Sequence, residues 1–315
     1  MGAVCIVFNK VISLSRYPHR APQRDQEGEA MFGKILFPTD FSEKAKTELS
    51  CLTSIPGIRE IILFHVIKHL AIPMGAEIIE DLATQSVKAY LTEAKTYIKT
   101  LNPSIIVTLE ETTSTDIPGS ILEKAEEHHA DLIIIHGNIK SILACTLLSC
   151  VSTKVLCRPS NINIMIIPDR LVKDLDGKIY EKFCPMIFSR ILCPTDFSDL
   201  SLKSAALAGT MRSAGEIILL HVAEEGDSGD AATAAEVQIR AACDKLTKQG
   251  IRARTIVVTG KPDAGILQVA RREDVSLIWM STAAKGCLYD FFYGSLVHDV
   301  IMNTARPVIV IRPDQ

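Results

Sequence analysis

The chain has 315 residues, 47% hydrophobic and 23% charged, an ordinary globular balance and room for two domains of about 100–200 residues each. Its 34 basic and 37 acidic residues leave a net charge of −3, spread over both halves, without the basic stripe of a nucleic-acid binder. No apolar run reaches the ~20 residues a helix needs to cross a bilayer, and the expectation is a cytoplasmic protein that engages neither nucleic acid nor membrane.

Residues 1–30 have no counterpart elsewhere in the chain. Their apolar piece AVCIVF is too short for a signal-peptide core and lacks a basic flank, so this stretch is expected to be a disordered extension. The first strand lies in ILFPTDFS, from Ile35 to Ser42. Pro38 ends it, Asp40 sits at its tip, and Ser42 is placed to cap the next helix. The second strand is REIILFHV, closing on His65 and Val66. A lone histidine there reads as structural, because no serine or cysteine nucleophile is fixed beside it. Val87, Leu91, Ala94, Ile98 and Leu101 recur at helical spacing, and Asn102-Pro103 closes that helix. The run DLIII from Asp131 and the run INIMII from Ile162 to Ile167 are further strands. A polar connector from Pro168 to Pro185 follows.

Beyond the connector the same order returns. ILCPTDFS begins at Ile191, 156 positions after its twin, and GEIILLHV from Gly215 repeats the second strand at the same spacing. The run from Ser276 matches the run from Asp131 at a spacing of 145, so the second copy is 11 residues shorter in its middle. A period this long marks a duplicated domain, since solenoid repeats run to roughly 20–50 residues. Ala235, Ile239, Ala242 and Leu246 form the matching helix, with Gly250 as its left-handed stop. ARTIVV, LIWMS and PVIVIR are continuous apolar runs, as in strands buried on both faces of a parallel sheet. Strands alternating with helices predict an α/β fold. Two tandem, doubly wound domains are expected over residues 31–168 and 187–315, joined by a linker at 169–186.

In such sheets ligands bind beyond the carboxyl ends of the strands. Asp40 and Asp196 stand there, either as carboxylates for a base amino group or ribose hydroxyl, or as groups that bond their own loop. In the second copy a third loop runs from Ser281 to Ser295. Gly294-Ser295 precedes a helical run, and small residues with free N–H groups at a helix start suit an anion, with Lys285 adding positive charge. Neither G-x-x-x-x-G-K-[ST] nor G-x-G-x-x-G occurs, which removes a P-loop and a dinucleotide fingerprint. Nine cysteines are scattered without a C-x-x-C pair. They read as reduced, buried small hydrophobes of a cytosolic protein.

With PTDFS, LHV and the closing apolar strand in this order, twice, the chain resembles tandem universal stress proteins from Met31 to Gln315. The resemblance implies an open five-stranded parallel sheet in order 3-2-1-4-5 in each copy. ATP-binding members place adenine between the first loop's aspartate and the valine of LHV, and hold phosphates with G-x-x-G-x9-G-[S/T]. Carried onto the second copy, this implies Asp196 and Val222 at adenine, with Ser281, Ala284, Gly294 and Ser295 at the phosphates. The last two match the pattern and the first two depart from it. Pro194, Thr195, Gly260, Lys285 and Leu296 complete the implied set. The first copy keeps Asp40 and Val66 but carries His136, Ile139, Ser149 and Cys150 in the phosphate positions. A β-branched isoleucine fits poorly where backbone turns tightly, so this copy is expected to be a degenerate partner. Cys150, at a helix start where thiol pKa falls, reads as a buried inert cysteine rather than a reactive one.

The implied function is regulatory or stress-related binding of ATP or AMP, with Mg2+ accompanying ATP, no structural metal, and at most slow ATP hydrolysis. The alternatives are a nucleotide-independent scaffold and a weak ATPase. A pyrophosphatase of related topology would need S-G-G-x-D where this chain has PTDFS. The implied partner is internal: the two copies pair through Ile162–Ile167 and Pro307–Ile311 as a pseudo-dimer, with a homodimer left open.

Overall fold

The computed structural model describes residues 31–68, 77–137, 151–168, 186–211, 215–224, 229–282 and 295–312. The first copy runs β1 (Lys34–Pro38), α1 (Glu43–Leu52), β2 (Glu60–Lys68), α2 (Glu77–Leu101), β3 (Ile106–Ser114), α3 (Ile117–Glu127), β4 (Leu132–Gly137), α4 (Val151–Cys157) and β5 (Asn163–Pro168). The second runs β6 (Arg190–Pro194), α5 (Asp199–Thr210), β7 (Glu216–Ala223), α6 (Gly229–Lys248), β8 (Ala253–Thr259), α7 (Pro262–Arg272), β9 (Leu277–Ser281), α8 (Leu296–Asn303) and β10 (Val308–Ile311). All ten strands join in one sheet, β3-β2-β1-β4-β5-β10-β9-β6-β7-β8.

The apolar runs become strands because helices cover both faces. Ile35 and Phe37 pack into a core on one face while Leu36, between them, packs into a core on the other. The strand period of two sorts every central strand this way. Each core is continuous through both copies: Met165 and Ile167 meet Ile309 and Ile311 on one face, Ile164 and Ile166 meet Val308 and Val310 on the other. Gly250 stops α6 at φ +81°, the left-handed conformation that favours glycine there.

The copies meet where β5 and β10 pair antiparallel, with Val308 opposite Ile166, Ile309 opposite Met165 and Val310 opposite Ile164. Both strands would otherwise be open, apolar edges. One side chain reinforces the seam. Arg312 is only 5% exposed. Its Nη1 donates to the carbonyls of Arg158 and Ser160 at 2.7 and 2.8 Å, and its Nη2 to that of Leu156 at 2.8 Å. The last carbonyls of a helix lack partners within it and carry the negative end of its dipole, so a cation from the second copy caps α4 of the first. The residue 145 positions earlier is Ile167, which has no group to donate in the same way.

Cys157, Cys193 and Cys243 are buried, and burial pushes the Cys193 and Cys243 thiols up. Cys51, however, is disulfide-bonded, which corrects the expectation that all the cysteines are reduced. A disulfide depends on tertiary proximity, which cysteine spacing in this chain does not signal.

Arg312→Met keeps the apolar stem but leaves buried carbonyls without a donor. The expected loss is about 3 kcal/mol in chemical denaturation. A loss below about 1 kcal/mol would mean that water reaches those carbonyls and that the cap is dispensable.

Candidate functional site

The geometry of the site starts in the PTDFS loops, which are built alike in both copies. Thr195 N–H donates to the Leu220 carbonyl at 2.8 Å, carrying the β6 ladder one residue past its proline. Phe197 then turns left-handed at φ 63°, as Phe41 does at φ 60°. That conformation is a genuine outlier for a bulky side chain. Two contacts hold it. Phe197 N–H donates to Thr195 Oγ1 at 3.0 Å, and its ring lies 4.4 Å from the His221 ring. His221 is fixed in turn by Nδ1, which donates to the Thr195 carbonyl at 3.0 Å; His65 bonds Thr39 the same way at 2.7 Å. Both strand-end histidines therefore brace the turn, in line with the structural reading.

The turn ends on a helix cap. Ser198 accepts from Ser201 N–H at 3.2 Å to start α5, and Ser42 accepts from Ala45 N–H at 3.2 Å to start α1. Asp196 lies between. Its Oδ1 accepts from the Ser198 N–H at 3.0 Å and the Ser198 hydroxyl at 2.6 Å. Partial burial opposes ionisation, but the bonds from the Ser198 hydroxyl and N–H outweigh it and hold the carboxyl below the ordinary aspartate value. Loop bonding thus occupies one oxygen, and Asp196 remains exposed.

Around this turn the second copy opens a cleft of about 230 Å³. It sits at the carboxyl ends of β6, β7 and β9, where the strand order reverses between β6 and β9. The walls are apolar, formed by Leu220, Val222, Ile266 and Met280. Three helices begin at its rim: α5 through Ser198, α7 through Pro262 and α8 through Leu296. Their starts bring unpaired N–H groups and positive dipole ends to one place. Among the described residues of the lining, Asp196 is the single carboxylate.

Of the expected site residues, Pro194, Thr195, Asp196, Val222, Ser281 and Leu296 come together here. Gly260 and Ser295 stand outside the lining of this cleft. Gly260 turns at φ +139° after β8, and Ser295 spends its hydroxyl capping α8, accepting from His298 N–H at 3.3 Å. Ala284, Lys285 and Gly294 lie outside the described residues, as do Ile139, Ser149 and Cys150. Sequence reasoning missed Ser201, Pro262, Ile266 and Met280. Only the helical spacing of Ser198 with Ser201, and of Pro262 with Ile266, marks them as sharing a face.

The first copy differs at the matching edge. His136 ends β4 and is hydrogen-bonded through Nδ1 to Oε1 of Glu48, whose side chain is fully buried. The corresponding residues of the second copy are the hydroxyls Ser281 and Ser204. Asp40 keeps its bond from Ser42 N–H at 3.0 Å; partial burial raises its pKa, but the bonds from Ser42 and the charge of His136 bring it below the ordinary value. The helix starts also differ in charge. Asp116 caps α3 and is bonded at both oxygens by Arg158 at 2.7 Å, whereas the residue before α7 is Lys261. Among the described residues no group of three or more His, Cys, Asp and Glu is placed to hold a metal ion.

Comparison with known proteins agrees with this geometry. A sequence model described as the universal stress protein family matches residues 31–168 and again 188–312. Universal stress protein MJ0577 of Methanocaldococcus jannaschii is 28% identical over 40% of this chain and 96% of its own length. Universal stress protein YxiE of Bacillus subtilis is 26% identical over 40% of this chain and all of its own. The crystal structure of a universal stress protein from Archaeoglobus fulgidus superposes with a TM-score of 0.71 at 21% identity, covering 90% of this chain and 98% of that one.

One glycine sets the width of the cleft. A Cβ at Gly265 would lie 2.9 and 3.0 Å from the two methyls of Val222. Gly265→Ala is expected to lower stability by about 1–3 kcal/mol through overpacking. Alanine's better helix propensity, up to about 1 kcal/mol, works the other way. Thermal denaturation decides, and an unchanged or raised melting temperature would show that α7 yields freely.

Proposed function

The chain belongs to the universal stress protein family, and we propose that it is a regulatory or stress-response protein that binds one adenine nucleotide, ATP or AMP, in the cleft of its second copy. The observation that supports this most is the convergence of three helix starts and one oriented carboxylate on an apolar cleft. Each part answers one part of the ligand. Leu220, Val222 and Met280 offer apolar surface to a planar base, and Asp196 offers an acceptor to an amino group or ribose hydroxyl. The starts of α5, α7 and α8 favour phosphate oxygens. The family resemblance adds Ala284, Lys285, Gly294 and Ser295 to this set by sequence position alone. Mg2+ would accompany ATP as part of the ligand.

The first copy is read as the partner that does not bind. Its buried Glu48 carboxylate stands under His136, where the second copy has neutral hydroxyls, and an acidic cap begins α3. Both carboxylates are already paired, Glu48 with His136 and Asp116 with Arg158, which leaves these positions committed to partners within the protein. The reading is of a sensor rather than an enzyme.

Titration calorimetry with ATP, AMP and GTP tests this. One site per chain is expected, with adenine preferred over guanine. Asp196→Ala should weaken ATP and AMP alike by about 0.5–1.5 kcal/mol, while Asp40→Ala leaves affinity unchanged. Because the folded pKa of Asp196 is depressed, affinity should hold from neutral pH downward and fall only as pH drops through that depressed value. Absence of any nucleotide binding would favour the scaffold alternative, and two equivalent sites would overturn the asymmetry.

A further inference from the structure

The turn that carries Asp196 is tied by a closed set of hydrogen bonds, and one member of the set is absent from the first copy. Ser201 Oγ donates to the Ser198 carbonyl at 3.0 Å. It also lies 2.9 Å from Thr195 Oγ1. Its single proton is committed to Ser198, so from Thr195 it accepts. Thr195 Oγ1 in turn accepts from Phe197 N–H at 3.0 Å. The relay therefore runs from the Phe197 amide through two hydroxyls to the Ser198 carbonyl, bracketing Asp196 on both sides. Ser198 completes the ring by donating its own hydroxyl to Asp196 Oδ1 and accepting from Ser201 N–H. Thr195 and Ser201 are each only 6% exposed, so water competes poorly for these bonds.

The first copy keeps every other member. Phe41 N–H donates to Thr39 Oγ1 at 3.1 Å, Ser42 N–H to Asp40 Oδ1 at 3.0 Å, and Ala45 N–H to Ser42 Oγ at 3.2 Å. At the position of Ser201 stands Ala45, 156 residues earlier, which offers no hydroxyl. Two loops of nearly identical sequence thus differ in the one side chain that joins the start of the turn to its end.

We propose that Ser201 is the positioning residue of the cleft, holding Asp196 in the orientation that receives the ligand, and that Ala45 marks the loss of this tie in the first copy. This rests on the reading that the cleft binds an adenine nucleotide. A residue that merely touched ligand would change affinity equally at every pH. A residue that acts through Asp196 changes where that carboxylate ionises, because bonds to the charged form favour it.

The test follows the carboxyl carbon of Asp196 by 13C NMR in the full, ligand-free chain, with Asp196→Asn to assign the resonance. Ser201→Ala should move the titration of Asp196 to higher pH and leave that of Asp40 in place. At neutral pH it should weaken both ATP and AMP by about three- to tenfold, the worth of one hydrogen bond. Its loss of affinity on acidification should begin at higher pH than in the parent. Ser201→Thr, which keeps the hydroxyl, should restore both readouts. An Asp196 titration unmoved by Ser201→Ala overturns the proposal, as does an affinity loss equal at every pH. A parent chain whose Asp196 titration responds to Ser201→Ala, yet which binds neither nucleotide, supports the positioning and defeats the functional reading.

Discussion

β5 and β10 run antiparallel, whereas the other neighbouring strands pair in parallel, so the carboxyl edges of the two copies face opposite ways. The loops at those edges therefore cannot share a ligand. What one copy loses at its rim leaves the other untouched. The seam constrains them differently: both faces of the sheet carry one continuous core across it, so large changes in the apolar strands of either copy disturb both. Duplication followed by drift in the loops, with the strands held, is the pattern that this mechanical arrangement permits.

The drift has a physical direction. In the second copy Trp279 donates its indole N–H to the carbonyl and hydroxyl of Ser204, at 2.9 and 3.0 Å. In the first, the equivalents are Ile134 and Glu48. Isoleucine has no donor, and Glu48 instead meets His136. A fully buried carboxylate is costly without a partner, so Glu48 and His136 are fixed as a pair.

Much of the architecture was legible because the chain states it twice. The repeated PTDFS and LHV segments located the edge strands of the site, the capping serines and the bracing histidines. Their geometry is local, set within a few residues by proline, a left-handed turn and a cap. The features that escaped are set by distance. Glu48 lies 88 residues from His136, and Arg312 reaches carbonyls more than 150 residues before it. Pro262 and Ile266 enter the cleft only because α7 lies over β7, and the contact of Gly265 with Val222 is a matter of packing. No single-sequence pattern encodes these approaches.

Arg312 explains why a copy without the phosphate pattern is nonetheless part of the working molecule. Its guanidinium is buried and needs several acceptors to offset the loss of water. Those acceptors are carbonyls at the end of α4 and just beyond it, in the first copy. Asn163 adds another tie, its Oδ1 accepting from Arg312 N–H at 3.1 Å while its Nδ2 donates to the Asp131 carbonyl at 3.2 Å. β10 itself begins five residues after α8, the helix whose start forms part of the cleft rim. Without the first copy, β10 would be a four-residue apolar edge with an unsatisfied arginine at its end. The first copy thus supports the cleft from behind: it covers the strand and caps the cation that follow the helix at the cleft.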